Sequence, residues 1–379
     1  MKILFWFSLI TIIYVYLLYP VLVYIMSFLY KKPLGGKYSY PYLSILLAAH
    51  NEEKNMERKI KSLLEIDYPQ ERFEILIGSD GSTDKTNEIT TKLMNEKIKF
   101  FSQQKRQGKP GILNLLAEKA NGEILVFTDA RQRLDKNALK ELVKHFSDQK
   151  IGSVSAELIY ENEDHNNKTG SGVGLYWKYE KFIRKSEARM GSMLGATGAL
   201  YAIRRELFPK LPQDLILDDI YIPMKIVERG FRAIMDPKAK VYDRVFLNPK
   251  GEFLRKTRTL AGNFQLVYYL GHLFNPLKGK ISWQFFSHKF LRVVVSFLLI
   301  LLFVSNILIL GSTFYQVIFI LQAAFYLMAL LGFLFKRKIR IFDVPYMFCV
   351  MNSASLVGLY KLLSRKQNAI WQKAEVVSS

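Results

Sequence analysis

Four long apolar segments constrain the fold of this chain more than any other feature of its sequence. They are Ile3–Leu29, Phe290–Leu310, Phe314–Phe335 and Phe342–Leu363. Each reaches the roughly 20 residues that an α-helix needs to cross a bilayer, and helices this long and this apolar are rare in soluble domains. The first segment also exceeds the apolar core of a signal peptide, and no small-residue cleavage site follows it. We therefore predict four membrane helices.

Basic residues flank these segments and account for part of the formal net charge of +21. They form three clusters, which comprise Lys31, Lys32 and Lys37, then Lys278, Lys280, His288 and Lys289, then Lys336, Arg337, Lys338 and Arg340. Because Lys and Arg accumulate on the cytoplasmic side of membrane helices, the clusters predict a multi-pass protein of the inner (plasma) membrane. Its middle region, about residues 38–285, then faces the cytosol. Arg365 and Lys366 leave it open whether the fourth segment spans the membrane or lies at its surface.

The middle region alternates between strand-like and helix-like segments. Short apolar runs predict strands at Leu43–Ala48, Phe73–Ile77, Lys99–Ser102 and Ile124–Phe127. The spacing of apolar residues predicts helices at Glu53–Leu64, Asp84–Met94, Lys109–Ala120 and Lys136–Phe146. This alternation is typical of an α/β domain with a mainly parallel sheet and helices on both faces. Ligands of such folds bind beyond the carboxyl ends of the strands.

Polar residues gather where each of these strands ends. They are His50, Asn51 and Glu52 after the first strand, Asp80 after the second, Gly108 and Lys109 after the third, and Asp129 after the fourth. A helix N-terminus and a lysine suit a phosphate, and a carboxylate such as that of Asp129 can hold a divalent cation. The set predicts a cleft for a nucleotide diphosphate with a metal ion.

Six short motifs follow one another through the middle region. They read LLAAHNEE, IGSDGSTDKT, QGKPGILN, FTDA, GATGALYAIRREL and LDDIYIPMKIVERGFR. The series resembles glycosyltransferase family 2, the inverting enzymes with the GT-A fold, over about residues 42–262. The arrangement of apolar segments resembles that of the cellulose, chitin, hyaluronan and poly-N-acetylglucosamine synthases and their bacterial relatives. The resemblance implies a Rossmann-like GT-A domain, a nucleotide-sugar donor (a UDP-sugar is favoured) and Mg²⁺ or Mn²⁺ as cofactor.

The resemblance also implies roles for residues at matching positions. On the donor side, it places His50, Asn51 and Glu52 at the nucleobase, Asp80 at the base or ribose, Lys109 at the diphosphate and Asp129 at the metal. On the acceptor side, it places Gly195, Thr197 and Gly198 at the end of the cleft. It makes Asp219, beside Asp218, the general base. Without the resemblance, Asp218 and Asp219 are better explained as the start of a helix, where acids offset the helix dipole.

A further stretch, EFLRKTRTLAGN, resembles the family's Gln-x-x-Arg-Trp element near the acceptor and the diphosphate. Arg258 matches its Arg, Arg255 stands in place of the Gln, and Thr259 stands in place of the Trp. A Trp normally offers a flat face to a sugar ring, so its absence weakens the case for processive synthesis. A basic helix lying against anionic lipid is the alternative interpretation of Arg255 and Lys256.

The motif FTDARQ departs from the family pattern, because Arg131 stands where a second metal-binding acid is expected. Three interpretations remain open. Asp129 alone holds the metal, with diphosphate oxygens and water completing its shell. Alternatively, Arg131 contacts the diphosphate and takes over part of the metal's charge. In the third interpretation the protein is an inactive member of the family.

The sequence thus predicts an N-terminal membrane helix over residues 1–30, a GT-A domain over 38–262, an interfacial amphipathic region over 263–288, membrane helices over 289–365 and a tail over 366–379. The predicted function is inverting transfer of a sugar to a growing polysaccharide or lipid-linked glycan on the cytosolic face. The alternatives are single-sugar transfer to a polyprenyl-phosphate lipid and an inactive membrane binding or scaffold subunit. Expected partners are membrane lipid and accessory membrane or secretion subunits, and no nucleic acid.

Overall fold

A computed structural model describes residues 1–30, 35–161, 171–244, 249–335 and 340–366. Its strands are β1 Leu43–Ala49, β2 Phe73–Asp80, β3 Ile98–Gln103, β4 Ile124–Thr128, β5 Arg133–Leu134, β6 Ile151–Glu161, β7 Leu200–Arg204 and β8 Arg232–Arg244. They form one sheet in the order β3-β2-β1-β4-β7-β6-β8-β5. The four strands predicted from the sequence are therefore all present, and they lie side by side.

The α-helices follow the strands in the alternation that the sequence predicts. Their bounds are α1 Lys2–Ile13, α2 Tyr19–Leu29, α3 Glu53–Leu64, α4 Thr86–Lys92, α5 Gly108–Lys119, α6 Ala138–Val143, α7 Ser171–Met190, α8 Asp218–Glu228, α9 Pro249–Tyr269, α10 Lys280–Gln284, α11 Leu291–Ile307, α12 Thr313–Leu334 and α13 Arg340–Leu363. A π-helical turn, Tyr14–Leu18, joins α1 to α2, and another, Phe285–Phe290, joins α10 to α11.

The sheet changes direction beside β4. Strands β3, β2, β1 and β4 run parallel to one another, whereas β7 runs antiparallel to both β4 and β6. The sheet is therefore mainly parallel on the side that precedes β7 in the strand order. The carboxyl ends of β1 and β4 meet at the same edge, as the sequence predicts.

The sheet has a hydrophobic core on each face, because successive residues of its buried strands point to opposite faces. Ile45 and Leu47 of β1 pack in one core with residues of α3 and α6, and Leu46 packs in the other with residues of α5 and α8. All seven residues of β1 are buried. Successive strand residues point to opposite faces, so a strand covered on both sides must be apolar throughout.

Four helical segments are long and apolar enough to cross a membrane. They are Lys2–Leu29, Lys280–Ile307, Thr313–Leu334 and Ile341–Leu363. The four predicted membrane helices are thus confirmed as helices of sufficient length and composition, and they flank the α/β domain on both sides along the chain.

The second of these segments begins at Lys280, about ten residues before the predicted start at residue 290. The sequence boundary was set by the polar residues that precede it, but the helix runs through them. In addition, α9 continues to Tyr269, so the predicted domain boundary at residue 262 lies inside a helix. The region 263–288 consists of the end of α9, two 3₁₀ turns and the start of the membrane-length helix.

Close helix packing joins the α/β domain to the last membrane-length helix. A Cβ added at Gly358 of α13 would lie 2.9 Å from the Thr257 carbonyl oxygen and 3.0 Å from the Ala261 nitrogen of α9. Only glycine allows this approach of two backbones. The helix α9, which carries Arg255 and Arg258, is consequently held directly against the membrane-length helices.

Candidate active site

A cavity of about 510 Å³ lies beyond the carboxyl ends of β1 and β4 and extends to the membrane-length helices α11 and α13. Its lining includes His50, Glu52, Lys109, Asp129, Arg131, Arg184, Thr197, Gly198, Asp218, Asp219, Asp243, Arg255, Arg258, Lys289, Arg292, Val293 and Met351. Most of the residues that the sequence singles out therefore surround one cavity.

The end of β1 contributes two side chains to this cavity. His50 and Glu52 line it, and Nδ1 of His50 lies 2.8 Å from the Asp80 carbonyl oxygen. Asn51 adopts a left-handed backbone conformation with φ 54°, and its Oδ1 accepts a hydrogen bond of 2.8 Å from the Thr83 amide. The side chain of Asn51 thus fixes the turn after β2, while its neighbours on either side line the cavity.

Asp80 at the end of β2 is fully buried. Its carboxylate accepts hydrogen bonds from the backbone N–H groups of Gln107, at 2.5 Å, and Gly108, at 3.1 Å. Gly108 has φ 75°, which glycine adopts without strain. In this arrangement Asp80 shapes the loop that leads into α5 and to Lys109, and its carboxylate does not line the cavity. Its predicted contact with the base or ribose remains a prediction.

Lys109 lies at the centre of a cluster of carboxylates. Its Nζ is 3.2 Å from Oδ1 of Asp129 and 3.3 Å from Oδ2 of Asp218. Burial opposes the charge on the amine, but Asp129, Asp218 and Asp219 together raise the pKa of Lys109 well above its usual value. The lysine is therefore a permanent cation that holds the end of β4 against the start of α8.

Asp219 occupies the first turn of α8, next to Asp218. Burial, followed by the negative charge of Asp218, raises the pKa of Asp219 to about 6, and Lys109, Arg184 and Lys289 oppose this shift. A carboxylate with such a pKa is ionised at neutral pH and still accepts a proton readily. The predicted general base consequently has the electrostatic environment that proton transfer requires.

The loop before β7 lies against Asp219. The amide of Ala196 donates a hydrogen bond of 2.7 Å to the Asp219 carbonyl oxygen, and a Cβ at Gly198 would lie 3.5 Å from Oδ2 of Asp219. A Cβ at Gly195 would come within 2.8 Å of Cγ1 of Ile220. The Thr197 amide donates to Oγ of Ser155 at 2.9 Å. Small residues here leave open the space beside the Asp219 carboxylate.

Arg131, the residue in place of the second acid, makes an ion pair with Asp243 of β8 at 2.5 Å. Asp243 is 5% exposed, and Oδ2 also accepts a hydrogen bond from Gln132 at 3.0 Å. The chain therefore does have a second carboxylate near Asp129, but it comes from a distant strand and is bound to a cation. No sequence motif marks Asp243, and we missed it in the sequence.

Lys59 is a second residue that sequence reasoning missed. It is 2% exposed, and its Nζ donates hydrogen bonds of 2.8 Å to Oγ1 of Thr128 and 2.9 Å to the Gln132 carbonyl oxygen. Burial lowers the pKa of Lys59 to about 7, although Asp129 opposes the shift. The amine thus ties together the two ends of the turn that presents Asp129. Its signal in the sequence is its position on the apolar face of α3, between Met56 and Ile60.

Helix α9 brings two arginines to the cavity. Nε of Arg258 is buried and has no hydrogen-bond partner among the described residues. Burial lowers the pKa of Arg258, and the negative charges of Asp218, Asp219 and Asp129 oppose this shift. The guanidinium therefore lies within electrostatic range of all three acids. Arg255 donates to the Tyr160 hydroxyl at 3.4 Å. Thr259 donates to the Arg255 carbonyl oxygen and offers no flat face.

The donor set around Asp129 suits a divalent cation only in part. Nothing in the described ranges brings three or more His, Cys, Asp or Glu side chains together as a metal site. Asp129 nevertheless presents a carboxylate to the cavity, with its side chain 38% exposed. Mg²⁺ is often held by one or two carboxylates together with substrate phosphates. The residues present therefore fit a metal that arrives with a nucleotide, and do not fit one held by protein alone.

The chain is similar in sequence to known glycosyltransferases. Residues 44–211 match the family model for glycosyl transferase family 2. The chain is 33% identical to beta-monoglucosyldiacylglycerol synthase from Nostoc sp., over 52% of this chain and 43% of that protein. It is 24% identical to poly-beta-1,6-N-acetyl-D-glucosamine synthase from Staphylococcus aureus, over 63% of this chain and 58% of that protein. The chain thus spans about half the length of these curated relatives.

A solved structure supports the fold along almost the whole chain. The mannosyltransferase PcManGT from Pyrobaculum calidifontis, in complex with GDP-Man and Mn²⁺, superposes with a TM-score of 0.73 at 20% identity. The match covers 96% of this chain and 99% of that one. At this identity the likeness concerns the fold, which is an α/β domain of the GT-A type flanked by apolar helices.

Proposed function

Residues 44–211 form a glycosyltransferase family 2 domain, and from this premise we propose that the chain is an inverting membrane glycosyltransferase. It transfers a sugar from a nucleotide-diphosphate donor to an acceptor on the cytosolic face of the membrane. The donor lies at the β1 and β4 end of the cavity, and the acceptor enters from the side of α7, α9 and α11.

The observation that carries this proposal is the position of Asp219. Its carboxylate borders the same cavity as Lys109 and Asp129 and has a pKa of about 6. Beside it, Gly198 leaves room for an acceptor. A half-buried carboxylate with a raised pKa in a cleft, next to groups suited to a diphosphate, is the arrangement that general-base catalysis uses.

The reaction is a single displacement at the anomeric carbon. A new bond forms between the acceptor oxygen and the anomeric carbon while the bond from that carbon to the diphosphate oxygen breaks. Asp219 accepts the proton of the acceptor hydroxyl, which is too weak a nucleophile at neutral pH without a base. The leaving diphosphate gains negative charge, which Lys109 and Arg258 stabilise. One displacement inverts the configuration of that carbon.

Asp129 is the protein residue that would hold a divalent cation. Such an ion supplies positive charge to the leaving diphosphate. PcManGT, which has a similar fold, was solved with GDP-Man and Mn²⁺, which supports a divalent metal here. Asp129 as sole protein ligand agrees with the first interpretation of FTDARQ. Because Arg131 is engaged with Asp243, a direct contact of Arg131 with the diphosphate would require that ion pair to rearrange.

The relatives suggest two acceptor classes. One named relative makes a glucosyldiacylglycerol and the other a polysaccharide. Transfer to a lipid or lipid-linked glycan is favoured for this chain, because its cavity is lined by Val293 and Met351 of two membrane-length helices. Thr259 in place of a Trp favours transfer of one or a few sugars over processive synthesis.

The proposal is tested with detergent-purified full chain and a panel of UDP-, GDP- and dTDP-sugars, with Mg²⁺ or Mn²⁺. Release of nucleoside diphosphate from one donor, together with an NMR-determined inverted anomeric configuration in the product, is the expected result. Retention of configuration, or nucleotide binding without release from any donor in membranes that contain native lipid, would overturn it.

A further inference from the structure

The cavity has opposite charges at its two ends. The end around β1, β4, β8 and α8 has a net formal charge of −3, from the acids Glu52, Asp129, Asp218, Asp219 and Asp243 and the cations Lys109 and Arg131. The end around α7, α9 and α11 has a net formal charge of +5, from the cations Arg184, Arg255, Lys256, Arg258, Lys289 and Arg292 and the acid Glu180. The donor end thus suits a metal–nucleotide complex, and the membrane end suits an anion.

Arg184 and Lys289 are two cations of this membrane end that form no ion pair with a carboxylate among the described residues. Arg184 of α7 donates to the carbonyl oxygen of Ala196 at 3.1 Å, which does not neutralise its charge. Lys289 precedes α11, is half-buried and lines the cavity. Its amine makes no hydrogen bond or ion pair within the described ranges, although Glu180 and Glu187 are near enough to stabilise its charge. A charged side chain inside a membrane-length helix is costly and marks a functional site by default.

The neighbouring charges show what a structural role would look like. Arg292, one turn after Lys289, donates to Oε2 of Glu180 at 2.6 Å. His288 lies 2.8 Å from Oε1 of Glu187, a fully buried carboxylate that also accepts from the Tyr19 hydroxyl at 2.6 Å. His288 and Arg292 thus have acid partners from α7. Lys289 lies between them in sequence and points its charge into the cavity instead.

Apolar residues continue the cavity beyond this cationic end. Val293 and Met351 belong to α11 and α13, which are both long and apolar enough to cross a membrane. An occupant that places an anionic group on Arg184 and Lys289 can therefore extend an acyl or isoprenoid chain along these helices. A soluble sugar would leave both the charges and the apolar wall unused.

We propose that the acceptor is an anionic lipid, in which a sugar-accepting hydroxyl is carried on a phosphate-linked headgroup. The phosphate binds Arg184 and Lys289, the hydroxyl lies beside Asp219, and the chains run along α11 and α13. The phosphate is not the attacking group, because an ionised phosphate oxygen needs no base, whereas the hydroxyl does. This inference rests on the proposed function and names the class of its acceptor.

The test measures lipid binding, which does not depend on turnover. Full chain in detergent is incubated with phosphatidylglycerol, whose headgroup carries hydroxyls next to a phosphate, or with diacylglycerol, which has the hydroxyl but no phosphate. Retained lipid is read by native mass spectrometry for wild type, Lys289→Gln and Lys289→Arg. Lys280→Gln is the matched control, because Lys280 begins the same helix, is exposed and stacks on Tyr30 away from the cavity.

The expected result is preferential retention of phosphatidylglycerol, reduced roughly tenfold in Lys289→Gln, since a charge-assisted contact is lost. Lys289→Arg and Lys280→Gln retain it as wild type does. Nucleotide binding at the opposite end of the cavity reports that each variant is folded. Equal retention of both lipids, or retention unaffected by Lys289→Gln, would overturn the proposal. So would displacement of the lipid by inorganic phosphate at a concentration equal to that of the lipid, because the apolar wall would then add no affinity and the site would take free phosphate.

The two proposals can fail separately. If wild type releases nucleoside diphosphate but shows no preference for the anionic lipid, the transferase assignment stands and the acceptor class is wrong. If it retains phosphatidylglycerol through Lys289 but releases no nucleoside diphosphate from any donor, the lipid site stands and the transferase assignment is wrong.

Discussion

The amine of Lys109 lies 3.2 Å from Oδ1 of Asp129, although the two residues belong to different motifs. Lys109 begins α5 and Asp129 follows β4, so their contact joins two turns at the carboxyl edge of the sheet. Through its second contact, with Asp218, the same amine links these two turns to the start of α8, which carries the proposed base.

The first prediction is an acid limb in the pH profile. Asp219 accepts a proton only when ionised, and its pKa of about 6 means that half of it is protonated near pH 6. We expect kcat/KM for the donor to be flat around pH 7 to 8 and to fall about tenfold per unit below pH 6. Tryptophan fluorescence over the same range checks that the fold persists. A profile flat down to pH 4.5 would contradict the role of Asp219.

The second prediction concerns Lys109→Met. Lys109 opposes the rise in the pKa of Asp219, so its removal should raise that pKa further and shift the acid limb to higher pH. The rate at pH 7 should fall by roughly 10²-fold or more, because the cation that faces the diphosphate is also lost. The pH profile separates the two effects. An unchanged acid limb would show that Lys109 does not act on the base.

The third prediction concerns Lys59, which supports the turn that carries Asp129. We expect Lys59→Met to raise the metal concentration needed for half-maximal activity about tenfold, as loss of a hydrogen bond behind a metal ligand does. Lys61→Met is the matched control, since Lys61 lies on the same helix, is exposed and pairs with Glu57. Equal metal dependence of the two variants would mean that Lys59 only fills the core.

The fourth prediction concerns the ion pair of Arg131 and Asp243. Asp243 is 5% exposed, and leaving it without its cation should cost roughly 1–2 kcal/mol, a reduced figure because Arg131 is partly exposed. Arg131→Gln and Asp243→Asn should each lower the Tm, and the double variant should lose less than the sum of the two. Strict additivity would show that the pair is not coupled.

The sequence predicted what depends on local pattern. Buried strands such as β1 must be apolar throughout, and the turns after them must be polar, so the edge of the sheet and Lys109, Asp129 and Asp219 could be located from periodicity and motif. Periodicity also places Lys59 on the apolar face of α3, but its burial could not be predicted, because a lysine in an amphipathic helix normally reaches solvent. Its burial depends on Thr128 and Gln132, which the chain brings close only on folding.

Long-range pairing also explains the remaining differences. Asp243 is about 110 residues from Arg131 in the sequence, and only the parallel pairing of β6 with β8 and the short β5 bring them together. The second membrane-length helix continues through the polar residues before residue 290, where His288 meets Glu187 of α7. Charges that appear to end an apolar segment can continue it when another helix supplies their partners.

The most direct test of the central claim compares Asp219→Asn with wild type in lipid nanodiscs, using the donor identified by the panel. The variant keeps the shape of the side chain but cannot accept a proton. We predict that nucleoside diphosphate release falls by about 10²–10⁴-fold while donor affinity stays within about threefold of wild type. Release from Asp219→Asn at the wild-type rate would contradict the account and remove Asp219 as the base.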